Sequence, residues 1–224
     1  MKVKKICKLL LFSALLLCLA FVTAPRQQIK VACVGDSITY GSGIKDREQN
    51  SYPAQVQQIL GKGWEVKNFG VSGATMLKKG DKPYCQQEDW QQSLDFAPDL
   101  VVIKLGTNDS KPQNWKYREE YIANYREMIS TYRNLPSRPQ VMVCLPAPVF
   151  ETRWGISGEV VDNEIIPALK QMAKAEKVKI INLYKPLSGH PEWFPDKIHP
   201  DKNGAAEMAR VVAKHINNAA KRLK

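Results

Sequence analysis

Short apolar runs alternate along this chain with stretches of helical periodicity. Ile29 to Val34 is apolar at five of its six positions and ends at Gly35-Asp36-Ser37, which predicts a strand. Ser51 to Leu60 is amphipathic, with Pro53 tolerated in a first turn and Gly61 and Gly63 to stop it, so a helix is predicted there. Glu65 to Asn68 predicts a short strand that runs into Gly70-Val-Ser-Gly73. Asp99 to Ile103 is nearly all apolar, as a central parallel strand covered on both faces should be. Tyr117 to Arg133 carries Tyr121, Ile122, Tyr125, Met128, Ile129 and Tyr132 on a helical stripe. Gln140 to Leu145 predicts the next strand, stopped by Pro146 and Pro148. A helix follows over Val160 to Glu176, which Pro167 should kink or split. Lys179 to Ile181 predicts a fifth strand, and Asp201 to Arg222 a final helix. With no linker and no repeat, the alternation predicts one α/β domain around a mainly parallel five-stranded sheet.

In such sheets ligands bind beyond the carboxyl ends of the strands. Three chemically suggestive segments each follow a predicted strand: Gly35-Asp36-Ser37, Gly70-Val-Ser-Gly73 and Gly106-Thr-Asn108-Asp109. All three should gather on one rim.

The charge of +11, from 33 basic and 22 acidic residues, raises the question of a polyanion partner. Part of it belongs to residues 1–24, which read as an export signal. Lys2, Lys4, Lys5 and Lys8 precede an uncharged run from Leu9 to Val22, and Val22-Thr-Ala24 fits a cleavage site. An uncleaved anchor and a lipoprotein signal at Cys18 are the alternatives. The apolar run is short of the roughly 20 residues that a membrane span needs, and Leu17 is a poor residue before a lipidated cysteine. Cleavage after Ala24 leaves 29 basic against 22 acidic residues, or +7, on a single domain over 25–224. No basic run with interleaved aromatics marks a nucleic-acid site. The expectation is a periplasmic or extracellular protein without stable membrane insertion. Cys33 and Cys144 lie in predicted strands and read as buried free thiols; nothing matches a zinc spacing.

Ser37 sits where a strand turns into a helix, a place that exposes a hydroxyl; its other reading is a helix cap. A nucleophilic serine needs a base. Of the three histidines, His215 falls on the final helix and His190 in a Gly-His-Pro turn without a carboxylate at a helpful spacing. His199 follows Asp196 by three residues on a proline-bracketed loop, so that carboxylate can orient the ring while the far nitrogen takes the serine proton. Asn108 offers a side-chain amide to an oxyanion and Gly73 an unobstructed N–H, although turn chemistry also favours both residue types.

Taken together, Gly35-Asp-Ser-Ile-Thr39, Asn68-Phe-Gly-Val-Ser-Gly73, Gly106-Thr-Asn-Asp109 and Asp196-Lys-Ile-His199 resemble the motifs of the SGNH hydrolases, the GDSL-like lipase/acylhydrolases. Ile38 stands where the family name has leucine. The resemblance spans the chain from the first strand to the last helix. It implies a three-layer α/β/α flavodoxin-like fold, Ser37 as nucleophile, His199 as base and Asp196 as its orienting carboxylate. It also implies an oxyanion hole from the N–H groups of Ser37 and Gly73 and the Asn108 amide, with no metal or organic cofactor. Gly70 is the alternative to Gly73.

An exported domain with Leu145-Pro-Ala-Pro-Val149 looks like bacterial sialate or xylan O-acetylesterases within that family. The expected substrate is therefore a small-molecule or glycan ester. Of Trp90, Trp115, Trp154 and Trp193, the predicted contacts with a sugar are Trp154 and Trp193, with Arg153 beside them. A lipase, lysophospholipase or thioesterase could use the same machinery, and a non-enzymatic carbohydrate- or polyanion-binding protein is the other alternative. The sequence leaves oligomeric state open.

Overall fold

The computed structural model describes residues 28–221, so the expected export signal lies outside the described residues. Five strands form a parallel sheet in the order β2-β1-β3-β4-β5. They are β1 (Ile29–Gly35), β2 (Trp64–Gly70), β3 (Leu100–Lys104), β4 (Gln140–Leu145) and β5 (Lys179–Asn182). Five longer helices cover it: α1 (Tyr52–Leu60), α2 (Glu88–Asp95), α3 (Tyr121–Arg133), α4 (Ile166–Ala175) and α5 (Lys202–Ala220).

Alternation along the strands divides the core in two. Val31, Cys33, Leu100, Val102, Met142 and Cys144 face Tyr52 and Val56 of α1 and the Met208–Ile216 stripe of α5. Ala32, Val34, Val101, Ile103 and Val143 face Tyr125 and Ile129 of α3 and Leu169 of α4, with Trp90 and Leu94 of α2 at the edge. The result is the expected three-layer α/β/α sandwich, and β3, buried along its whole length, is its centre.

Boundaries moved where caps and turns decide them. Ser51 is the N-cap of α1, and a 3₁₀ turn over Arg118–Glu120 delays α3 to Tyr121. Asp201 caps α5 by accepting from the Asn203 and Gly204 N–H groups at 2.8 and 3.0 Å. Near Pro167 the chain forms a π turn over Val161–Ile165 and then continues as α4. Pro167 has no N–H to give the preceding turn, and the wider turn absorbs that gap without ending the helix.

Chain direction places the site. β1 pairs with both β2 and β3, with Gly35 level with Gly70 on one side and Lys104 on the other. The chain leaves β1 toward one edge and resumes at β3 toward the opposite edge, so the crevice at this switch point opens over the carboxyl ends of β1 and β3. Ser37 and Asn108 lie just past those two ends. Cys33 and Cys144 are buried free thiols; burial pushes the Cys33 thiol up to about 12.

Candidate active site

Ser37 opens a four-residue helical turn, Ser37–Tyr40, directly beyond β1. The Asp36 carboxylate caps that turn by accepting from the Ile38 N–H at 2.9 Å, so the cap role open to Ser37 belongs to its neighbour. The Ser37 hydroxyl instead lies 2.8 Å from His199 Nε2.

His199 reaches it from a turn pinned by buried Phe194 and Ile198. Its Nδ1 is 2.7 Å from Asp196 Oδ2, while Asp196 Oδ1 accepts from the backbone N–H groups of His199 and Ile198 at 2.7 and 2.9 Å. Burial pushes the Asp196 carboxyl up, but these bonds outweigh it and hold the group below the usual carboxylate range. Asp196, His199 and Ser37 thus form one continuous hydrogen-bonded chain. Neither other histidine is part of it. His190 pairs with Glu192 at 2.8 Å, a carboxylate that the sequence reading passed over, and His215 Nδ1 donates to the Val211 carbonyl within α5.

The two candidate glycines differ in kind. A Cβ on Gly70 would meet the Tyr40 nitrogen at 2.2 Å, so this glycine lets β2 approach the serine turn. Gly73 lies in a loop with φ of +83°, where a side chain would be strained. Among the described residues neither the Gly73 nor the Ser37 N–H donates a hydrogen bond.

Asn108 begins a 3₁₀ turn beyond β3 and is nearly buried. Its amide donates to the Ala74 carbonyl at 3.1 Å, which fixes the side chain against the Gly73 loop and leaves its second N–H free. Asp109 braces the same loop by accepting from the Met76 and Leu77 N–H groups at 3.0 and 2.7 Å. Burial pushes this carboxyl up to about 7 despite those bonds.

The loop after β4 approaches this hydrogen-bonded chain from the side. Phe150 N–H donates to the Lys197 carbonyl at 2.9 Å, and Arg153 Nη1 donates to the Asp196 carbonyl at 3.3 Å. The Trp154 ring lies 5.9 Å from the His199 ring and is 60% exposed. Trp154 adopts a left-handed backbone, φ of 52°, which a non-glycine residue keeps only when its surroundings hold it. Trp193, the second expected aromatic contact, is placed differently. Its ring stacks on His190 at 3.7 Å, and it packs against the core beside α5. Trp90 and Trp115 also pack inward.

A serine hydroxyl against an imidazole, with free N–H donors beyond β1, β2 and β3 on the same rim, is an arrangement that suits acyl transfer. Residues 33–207 match the GDSL-like Lipase/Acylhydrolase family. The chain belongs to that family. It is also 42% identical over 214 residues to an acetylxylan esterase of Xylanibacter ruminicola, a match covering 87% of this chain. The chain spans 45% of that relative's length. Among solved structures it is similar in fold to Est24, a carbohydrate acetylesterase from Sinorhizobium meliloti, with a TM-score of 0.69 at 18% identity over 86% of this chain and 100% of that one. The M. smegmatis aryl esterase aligns with a TM-score of 0.65, at 18% identity over 85% and 99% of the two chains.

Sequence reasoning passed over the polar residues beneath the rim, above all Lys104 and Thr107. Among the described residues no three His, Cys, Asp or Glu side chains gather as metal ligands, and no helix is long and apolar enough to cross a membrane.

Proposed function

We propose that this protein is an exported serine esterase that removes acetyl groups from hydroxyls of carbohydrates. The observation that carries the reading is the Asp196–His199–Ser37 hydrogen-bond chain on the rim where Gly73 and Asn108 also sit. Ser37 Oγ attacks the ester carbonyl as His199 Nε2 takes its proton. The Ser37 and Gly73 N–H groups and the Asn108 amide hold the tetrahedral oxyanion. Collapse breaks the bond to the sugar oxygen, and the Nε2 proton goes to the departing alkoxide. Water then repeats the cycle on the acetyl-serine and releases acetate.

The surface favours a short acyl group. A fatty acyl chain needs an apolar trough, yet among the described residues the large apolar side chains left exposed are Ile59 and Trp154. Only Trp154 is beside the triad, and a single ring suits a pyranose face better than an alkyl chain. The acetylxylan esterase relative points to a plant-polysaccharide ester, and a glycan substrate accords with the export signal expected in residues 1–24.

Acetate release from acetylated xylan, with rates on p-nitrophenyl esters from acetyl to decanoyl, tests this reading. The expected result is acetate release and a kcat/KM that falls steadily as the acyl chain lengthens. A profile rising toward decanoyl would establish the lipase alternative instead. Trp154→Ala should raise KM for an acetylated xylo-oligosaccharide about 5-fold, the worth of about 1 kcal/mol of stacking. Its effect on ethyl acetate, which has no ring to stack, should be smaller. Equal effects on both substrates would remove Trp154 from sugar recognition.

A further inference from the structure

β3 ends in a residue that its neighbours do not lead one to expect. Leu100, Val101, Val102 and Ile103 are fully buried apolar side chains, and Lys104 follows them at 0% exposure. Its ammonium is satisfied throughout: Nζ donates to Asp36 Oδ1 at 3.1 Å, Asp36 Oδ2 at 3.0 Å and Thr107 Oγ1 at 2.7 Å. An ammonium has three N–H donors, so none is left over.

Stability gives little reason for this arrangement. Withdrawing both charges of a buried pair from water costs several kcal/mol per ion, and apolar residues of similar volume often serve as well or better. Nor does the pair bring a net charge to the site, since Asp36 neutralises Lys104. What it does have is position. Asp36 immediately precedes Ser37 and caps the serine turn through the same Oδ1 that Lys104 engages. Thr107 immediately precedes Asn108, on the loop that carries the side-chain donor. One ammonium therefore holds, from below, the two loops whose separation sets the gap between nucleophile and oxyanion donor.

We infer that Lys104 is a positioning residue for ester hydrolysis, tying the Ser37 turn to the Asn108 loop through Asp36 and Thr107. The inference rests on the esterase reading above. A tie of this kind acts in the transition state, where a displacement of the donor by a fraction of an ångström weakens its bond to the oxyanion. It should leave ground-state binding of the ester almost untouched.

Thr107 is the place to test it, because Thr107→Val keeps the shape, leaves the Asp36–Lys104 pair in place and unties only the Asn108 loop. The full chain carrying Thr107→Val should lose about 10-fold in kcat on p-nitrophenyl acetate, with KM within about 2-fold, as expected for an interaction made only in the transition state. Thr107→Ser, which restores the hydroxyl, should recover most of that loss. The neutral pair Asp36→Asn with Lys104→Met avoids stranding a buried charge; it should fold, give a cooperative melt and lose kcat by more than Thr107→Val. If the wild type hydrolyses the ester and Thr107→Val matches it, or if valine and serine are equally impaired, the tie is not what positions Asn108. An inactive wild type would overturn the esterase reading and this inference with it.

Discussion

Ser37→Ala should lower kcat for p-nitrophenyl acetate by about a million-fold, the scale seen when a serine hydrolase loses its nucleophile. The size of the effect follows from the chain of bonds at the rim. With the hydroxyl gone, His199 Nε2 has no proton to take and no acyl-enzyme can form, while the oxyanion donors remain. A residue of catalysis about 1,000-fold above water is therefore expected. The fold should be unaffected. The serine turn is capped by Asp36, and the bonds that close it, from the Gly41 and Ser42 N–H groups, go to the Ser37 carbonyl, which alanine keeps. The one side-chain bond lost is to a ring that is itself partly open to solvent. A shift in Tm within about 4 °C is the expected accompaniment. Kinetics, thermal melts and labelling by a fluorophosphonate check it together. Wild type should be labelled and the variant not. A variant retaining kcat within about 10-fold of wild type would remove Ser37 from the chemistry, and unchanged glycan binding with no turnover in either protein would favour a binding module.

Much of this site is legible in the sequence because each part lies just beyond a strand. The apolar run of Leu100 to Ile103 marks β3 as central, and chain order then brings the segments after β1, β2 and β3 to one rim. Asp196 and His199 are readable for a different reason: three residues on a turn suffice for a carboxylate to reach a ring nitrogen. Other features carry no such local signal. α2 has two apolar side chains, Trp90 and Leu94, four residues apart among polar neighbours, and the residue it buries fully is Ser93, so its periodicity is too thin to identify. Lys104 looks in the sequence like any cation at the solvated end of a strand, and only the opposing Asp36 turn shows that it is buried. By spacing Trp193, three residues before Asp196, is the better candidate for a sugar contact, and Trp154 lies far from it along the chain. In three dimensions the order reverses, since the loop after β4 is bonded to the Asp196–His199 turn through Phe150 and Arg153, whereas Trp193 finds His190 three residues earlier.

Asp196→Asn should cost about 10,000-fold in kcat, by changing which nitrogen of His199 carries the proton. In the wild type the His199 and Ile198 N–H groups both point at Asp196 Oδ1, and the other carboxylate oxygen accepts from His199 Nδ1. An asparagine must keep its carbonyl toward those two backbone donors, which turns its NH₂ toward Nδ1. Nδ1 then has to accept, the ring proton moves to Nε2, and the nitrogen facing Ser37 can no longer take the hydroxyl proton. Stability should change in a pH-dependent way. The native carboxyl sits below its unfolded value of about 3.9, so its contribution is fully present above that pH and is lost as pH falls through the native value. Wild type should therefore melt higher than the variant at pH 7, with the two curves converging in acid. The gap will be small, because Asp196 is partly exposed and solvent screens its charge. Steady-state kinetics with melts at neutral and acidic pH check both parts. A kcat within about 10-fold of wild type would show that Asp196 does not set the tautomer of the base, and a melting gap that widens in acid would contradict the bonding at Oδ1.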